Sequence, residues 1–138
     1  MKPELKDNKK MIGKRKQKLG FKAFWDTCMY SLSGIGNYIF HEASSKRVIF
    51  SIFFEIFLVL TLKASYTEIL IFTIFLAAIT AVELLNTGIE AICDLVCPEY
   101  NKAIKIAKDS GSGATFVLSS TLLVLNCIVF IPKAIALF

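Results

Sequence analysis

The chain has 138 residues, 55% of them hydrophobic and 20% charged, with a net charge of +5. A length near 140 fits one domain, and so apolar a composition excludes a disordered chain. Three stretches run apolar for about fourteen to eighteen residues, and a bilayer core of roughly 30 Å asks for about 20 residues of helix. Three spans would use about 60 residues, which leaves no room for a large catalytic domain outside the membrane.

The positive charge is lopsided. Residues 1–22 hold nine Lys or Arg against Glu4 and Asp7, whereas the remainder holds seven basic and nine acidic residues. Beside membrane spans, such a tail marks the cytoplasmic side and touches anionic lipid. Nucleic acid is not the expected partner, because no aromatic-studded basic fold accompanies the tail. Nor do residues 1–18 read as a signal peptide, lacking the apolar core and small-residue cleavage site.

From 19 to 41 the apolar residues Phe21, Phe24, Trp25, Cys28, Leu32, Ile35 and Ile39 fall on one helical face. The pattern predicts an amphipathic helix lying in the membrane surface, with a bend near Gly34 and Gly36. The first span is expected at about 44–62. It contains Glu55, whose charged form costs about 2.5–3.5 kcal/mol at mid-bilayer, so it should face other helices or be protonated.

A short polar turn leads to a second helix over 66–96, closed by Pro98. A loop over 98–104 precedes a third helix over 104–131, ended by Pro132. Lys102, Lys105 and Lys108 place that loop on the same side as the tail. The expected fold is therefore an all-α integral membrane protein, three transmembrane helices plus an N-terminal amphipathic surface helix. It forms one membrane domain over 19–138, with its N-terminus in the cytoplasm. Cys28, Cys93, Cys97 and Cys127 do not form a disulfide framework, and Cys93 with Cys97 lacks the further ligands of a zinc site. His41 reads as a polar interfacial residue.

The second helix holds the decisive pattern. Glu83, Asn86, Thr87, Glu90 and Asp94 share an arc of about 100° at 100° per residue. Three carboxylates and an amide on a stripe that begins inside an apolar run mark a functional site, since polar glue between helices needs only one Asn. On the third helix Lys108, Ser112, Thr115 and Ser119 share a face, and Gly111 and Gly113 permit close helix approach. Glu42 adds a carboxylate just before the first span.

Clustered carboxylates with few other ligands suit Mg²⁺, which bridges protein oxygens and substrate phosphates. A nearby lysine suits phosphate, and a further desolvated carboxylate can take a proton from an alcohol. Together these point to phosphoryl transfer onto a lipid hydroxyl. The G-x-x-x-x-G-K-[ST] motif is absent, and Gly34-Ile-Gly36 lacks a third glycine at Ile39, so soluble nucleotide-binding folds are excluded. Two other classes remain for comparison. An ion-conducting bundle is disfavoured because the acidic stripe stops partway through the span, and a structural adaptor would need none of these carboxylates.

These residues resemble the small prokaryotic diacylglycerol kinase family, which includes undecaprenol kinases. The likeness runs from about Tyr30 to Phe130. Its motifs are Tyr30-Ser31 with Gly34, Glu42-Ala43, Glu83-Leu-Leu-Asn86-x-x-Ile-Glu90-Ala-x-x-Asp94, Glu99-Tyr100, and Ala107-Lys108-Asp109-x-Gly111-Ser112.

The resemblance implies a homotrimer of the bacterial inner membrane, with sites shared between subunits, using ATP and Mg²⁺. By motif position it implies Glu83 as the base that binds the lipid hydroxyl, supported by Asn86, with Ser112 on the lipid side. It implies Glu42 and Glu90 as metal carboxylates, and Tyr30, Asp94, Glu99, Tyr100, Asn101, Lys108 and Asp109 as nucleotide contacts. The implied acceptor is diacylglycerol, yielding phosphatidic acid; undecaprenol is the alternative. Ala23 stands where relatives often carry a basic residue, Asn101 where they often carry His, and Glu55 matches no family position.

Overall fold

The computed structural model describes residues 20–137, so the basic tail over 1–18 lies outside the described residues. Four helices follow one another: α1 (Phe21–His41), α2 (Ala43–Thr61), α3 (Tyr66–Val96) and α4 (Lys102–Ile135). Among the described residues there is no strand. Contacts along the chain divide it into a unit ending at Gly34 and a second beginning at Ile35.

In the first unit, Gly20 opens α1 with a φ of +143°, a backbone conformation that L side chains rarely adopt. Its carbonyl accepts from the amides of Ala23 and Phe24. Residues Phe21, Phe24, Trp25, Tyr30 and Leu32 are exposed. The helix does not break at Gly34 or Gly36.

In the second unit the start of α2 is built around Ser45. Its hydroxyl donates to the carbonyls of Ile39 and Glu42, at 3.0 and 2.7 Å, and the residue is fully buried. Glu42 is the N-cap of α2, yet its side chain makes no capping bond and is left for other work. Buried Tyr38 accepts a bond from the Ser44 hydroxyl at 3.3 Å. Burial, with a smaller contribution from the charge of Glu83, pushes the Tyr38 phenol above its ordinary value of 10.0.

The turn after α2 passes through Lys63, whose φ of 49° reverses the chain. Ser65 and Glu68 then form a reciprocal capping box at the head of α3. At 1.5 Å per residue, α3 and α4 are about 46 and about 51 Å long. Both are apolar and long enough to cross a membrane. The 19 residues of α2 carry Lys46, Arg47 and Glu55, and it falls outside that description.

Two helix ends differ from the sequence expectation. Asn101 caps α4 by accepting from the amides of Ala103 and Ile104, so the helix starts at Lys102 rather than 104. At the other end Pro132 does not stop the helix at 131. It lacks one donor, but the Ala136 amide bonds to the Pro132 carbonyl and the last turn closes.

The most extensive packing is α3 on α4, followed by α2 on α3. The core comprises Tyr38, Val48, Phe72, Ile79, Leu122 and Phe130. Phe72 and Phe130 stack with ring centroids 5.1 Å apart. At the end of the bundle away from the acidic stripe, Lys133 of α4 pairs with Glu68 of α3 at 2.5 Å. These contacts hold α3 against α4 along the half of the bundle beyond the stripe.

Candidate active site

The polar stripe of α3 opens into a cavity of about 630 Å³ between α2, α3 and α4. Glu83, Asn86 and Glu90 line it from α3, Glu42 and Arg47 from the head of α2, and Ser112, Thr115 and Ser119 from α4. Val48, Ile79 and Phe116 supply apolar wall. The geometry follows from the helical period: residues at i, i+3 and i+7 of α3 face one way, and α4 can approach that face closely only where it is small.

Gly111 of α4 packs directly on Asn86 of α3. A Cβ built there would collide with the carboxamide of Asn86 and lie 3.8 Å from the Asn86 Cα. The Asn86 carboxamide is held from its other end, its Nδ2 donating to Glu90 Oε1 at 2.9 Å. Its Oδ1 is buried and has no partner. Glu83 is 7% exposed, and the guanidinium of Arg47 stands 3.9 Å from its Oε1.

Not all the sequence-derived candidates meet at this cavity. Asp94, one turn beyond Glu90, pairs with Lys108 of α4 at 2.5 Å. Asp109 pairs with Lys105, four residues earlier on α4. Glu99 and Tyr100 are exposed in the α3–α4 connection, where the Glu99 carbonyl accepts from Cys97 Sγ. Asn101 spends its side chain on the α4 cap. Asp94, Glu99, Tyr100, Asn101, Lys108 and Asp109 all lie off the cavity lining. Tyr30 belongs to the first unit, where it is exposed.

Arg47 was not singled out from the sequence. The signal available was a basic residue five positions after Glu42, on the first turns of a span, and such residues ordinarily mark the membrane boundary.

Among the described residues no three His, Cys, Asp or Glu are gathered to hold a metal by themselves. The donor set nonetheless fits a hard cation held jointly with a substrate. Glu42 and Glu90 are carboxylates on one cavity, and Asn86 Oδ1 is a buried oxygen that lacks a donor. Mg²⁺ is ordinarily bound by one or two carboxylates together with substrate phosphates.

Such a site lies between helices of which two, α3 and α4, are long and apolar enough to cross a membrane. The family model described as prokaryotic diacylglycerol kinase matches residues 29–130, a stretch containing every candidate residue named above. The chain belongs to the prokaryotic diacylglycerol kinase family, a family of membrane lipid kinases. It is similar to the undecaprenol kinase of Bacillus subtilis (strain 168), at 29% identity over 97 residues, covering 70% of this chain and 73% of that protein.

Proposed function

We propose that the protein transfers the terminal phosphoryl group of ATP to the primary hydroxyl of a membrane lipid alcohol. The observation that carries this reading is the meeting of Glu42, Glu83, Asn86, Glu90 and Ser112 on one cavity with apolar wall. In the proposed reaction the lipid hydroxyl lies against Glu83, which takes its proton as the new O–P bond forms and the bond to ADP breaks.

Glu42 and Glu90 would hold Mg²⁺, which when bound neutralises charge on the nucleotide phosphates. Asn86 orients Glu90 through its Nδ2 bond. Tyr30, Asp94, Glu99, Tyr100, Asn101, Lys108 and Asp109 are assigned to the nucleotide. Lys108 would exchange Asp94 for a phosphate, a geometry that an ammonium on a flexible stem accommodates.

Each of two acceptors has its own support. The family description favours diacylglycerol, and the Bacillus subtilis relative favours undecaprenol. Both present a primary hydroxyl at the interface, and the same base and carboxylates would serve either.

The membrane arrangement completes the proposal: three spans, α2 included, with the N-terminus in the cytoplasm of a bacterial inner membrane, assembled as a homotrimer. Support for α2 as a span comes from its charges. Glu55 turns inward to Asn126, while exposed Lys46 and Arg47 lie in the first turns of α2, where basic side chains mark a membrane boundary. Exposed Phe50, Phe53, Phe54 and Phe57 on α2 require lipid or a neighbouring subunit.

The test is a parallel phosphorylation assay in mixed micelles with ATP, Mg²⁺ and each alcohol. Lipid-dependent ADP release is expected, and Glu83→Gln should lower it by about 10²–10⁴-fold while the protein still inserts. Near wild-type turnover in that variant, with both alcohols, removes Glu83 from the chemistry.

A further inference from the structure

Glu55 is 3% exposed, sits two-thirds of the way along α2, and belongs to no part of the proposed reaction. Among the described residues its one side-chain bond comes from α4: Asn126 Nδ2 donates to Glu55 Oε2 at 3.1 Å. Two further atoms of this pair, Glu55 Oε1 and Asn126 Oδ1, are buried and have no partner. Both are oxygens. An ionised carboxylate would leave both as acceptors with nothing to accept, in a medium where an unsatisfied polar atom is costly. One hydrogen answers both vacancies at once, since Oε1 protonated becomes the donor that Oδ1 lacks.

We infer that Glu55 and Asn126 form a proton-binding site within the membrane, a neutral carboxylic acid–carboxamide pair joined by two hydrogen bonds across α2 and α4. Carboxyl and carboxamide are planar groups of matching size, each offering one donor and one acceptor once the acid is protonated. The proton is taken up from water as the helices assemble.

Among the described residues no charged neighbour favours the ionised form. Along α2 there is no ionisable residue between Arg47 and Lys63 other than Glu55 itself, and along α3 none between Glu68 and Glu83. On α4 the only one between Asp109 and Lys133 is Cys127, whose side chain is exposed. Tyr38 is engaged with Ser44, eleven residues before Glu55 in the chain.

The position gives the pair a consequence for the cavity. Ser51 and Ser119 are the lining residues furthest along α2 and α4. Glu55 lies one helical turn beyond Ser51, and Asn126 two turns beyond Ser119. The acid–amide pair therefore fastens α2 to α4 just past the end of the cavity and sets how far the two helices can part.

Infrared difference spectroscopy of the full-length protein in lipid at neutral pH tests this directly. Wild type minus Glu55→Gln should show the C=O stretch of an un-ionised, hydrogen-bonded carboxyl, sensitive to H/D exchange. The glutamine side chain can keep both bonds without an added proton, so this variant should assemble and resist heating as wild type does. Should it fail to assemble, wild type against Asn126→Ala gives the same information, because the band should move to higher wavenumber as its acceptor is removed. Absence of the carboxyl band in wild type overturns the proposal. A carboxylate band with stability that depends on Na⁺ or K⁺ also overturns it, and would assign the two oxygens to a cation.

Discussion

The guanidinium of Arg47 stands 3.9 Å from Oε1 of Glu83, joining the first turns of α2 to the polar stripe of α3. The Arg47 side chain is 77% exposed whereas that of Glu83 is 9% exposed, so one partner is wet and the other dry. As an ordinary exposed ion pair it would be worth about 0.2–1 kcal/mol, or roughly a fivefold effect at most. Its place on the cavity wall argues for more. Arg47→Gln is expected to lower kcat by about tenfold or more with assembly unchanged, and Arg47→Lys to recover part of the loss. A loss under about fivefold would leave Arg47 an ordinary surface partner of Glu83.

Gly111 lets α4 pass against the Asn86 carboxamide, and nothing larger fits without displacing it. Gly111→Ala gains helix propensity of about 1 kcal/mol but forces the amide aside, an overpacking cost of about 1–3 kcal/mol. The expected outcome is lost turnover with a net destabilisation of at most about 2 kcal/mol. Because Asn86 holds Glu90, the loss should appear partly as a higher Mg²⁺ requirement. Wild-type Mg²⁺ dependence in Gly111→Ala would show that the Asn86–Glu90 bond does not serve the metal.

The stripe of α3 was legible because a single helix carries it. Glu83, Asn86 and Glu90 share a face by the period of the helix alone, and intramembrane carboxylates announce themselves by their cost. Their meeting with Glu42 and Ser112 required tertiary structure, since those residues come from α2 and α4. Arg47 and Asn126 were not legible. Each is a single polar residue whose meaning lies in a partner on another helix, 36 residues from Arg47 in one case and 71 from Asn126 in the other. The helix ends at Lys102 and Ile135 escaped for a local reason. A side-chain cap from Asn101 and a proline one turn from the terminus both change bounds without changing the apolar pattern.

Glu90 has two claims upon it, the Asn86 amide and the proposed metal. Glu90→Gln keeps a group of the same size that can still meet Asn86 Nδ2 through its oxygen. Packing should therefore survive, whereas the charge that attracts a divalent cation is gone. The Mg²⁺ concentration for half-maximal turnover is expected to rise on the order of 10- to 100-fold. An unchanged Mg²⁺ titration, at whatever residual rate, would remove Glu90 from the metal.

Glu68 holds the opposite end of α3 by two bonds of different kinds. Its Oε2 accepts from the Ser65 amide at 2.6 Å, completing the cap, and from Lys133 Nζ of α4 at 2.5 Å. Ser65→Ala removes only the hydroxyl half of the cap and should cost about 1 kcal/mol. Glu68→Gln keeps an acceptor for the Ser65 amide but gives up the ion pair, and Glu68→Ala removes both. Thermal resistance should thus fall in the order wild type, Glu68→Gln, Glu68→Ala. Glu68 precedes Glu83 by 15 residues on the same helix, about 22 Å along its axis, and no atom of it lines the cavity. Turnover measured below the melting range should accordingly stay at the wild-type level in all three variants. A large drop in kcat without a drop in stability would mean that the α3–α4 contact made by Lys133 reaches the stripe itself.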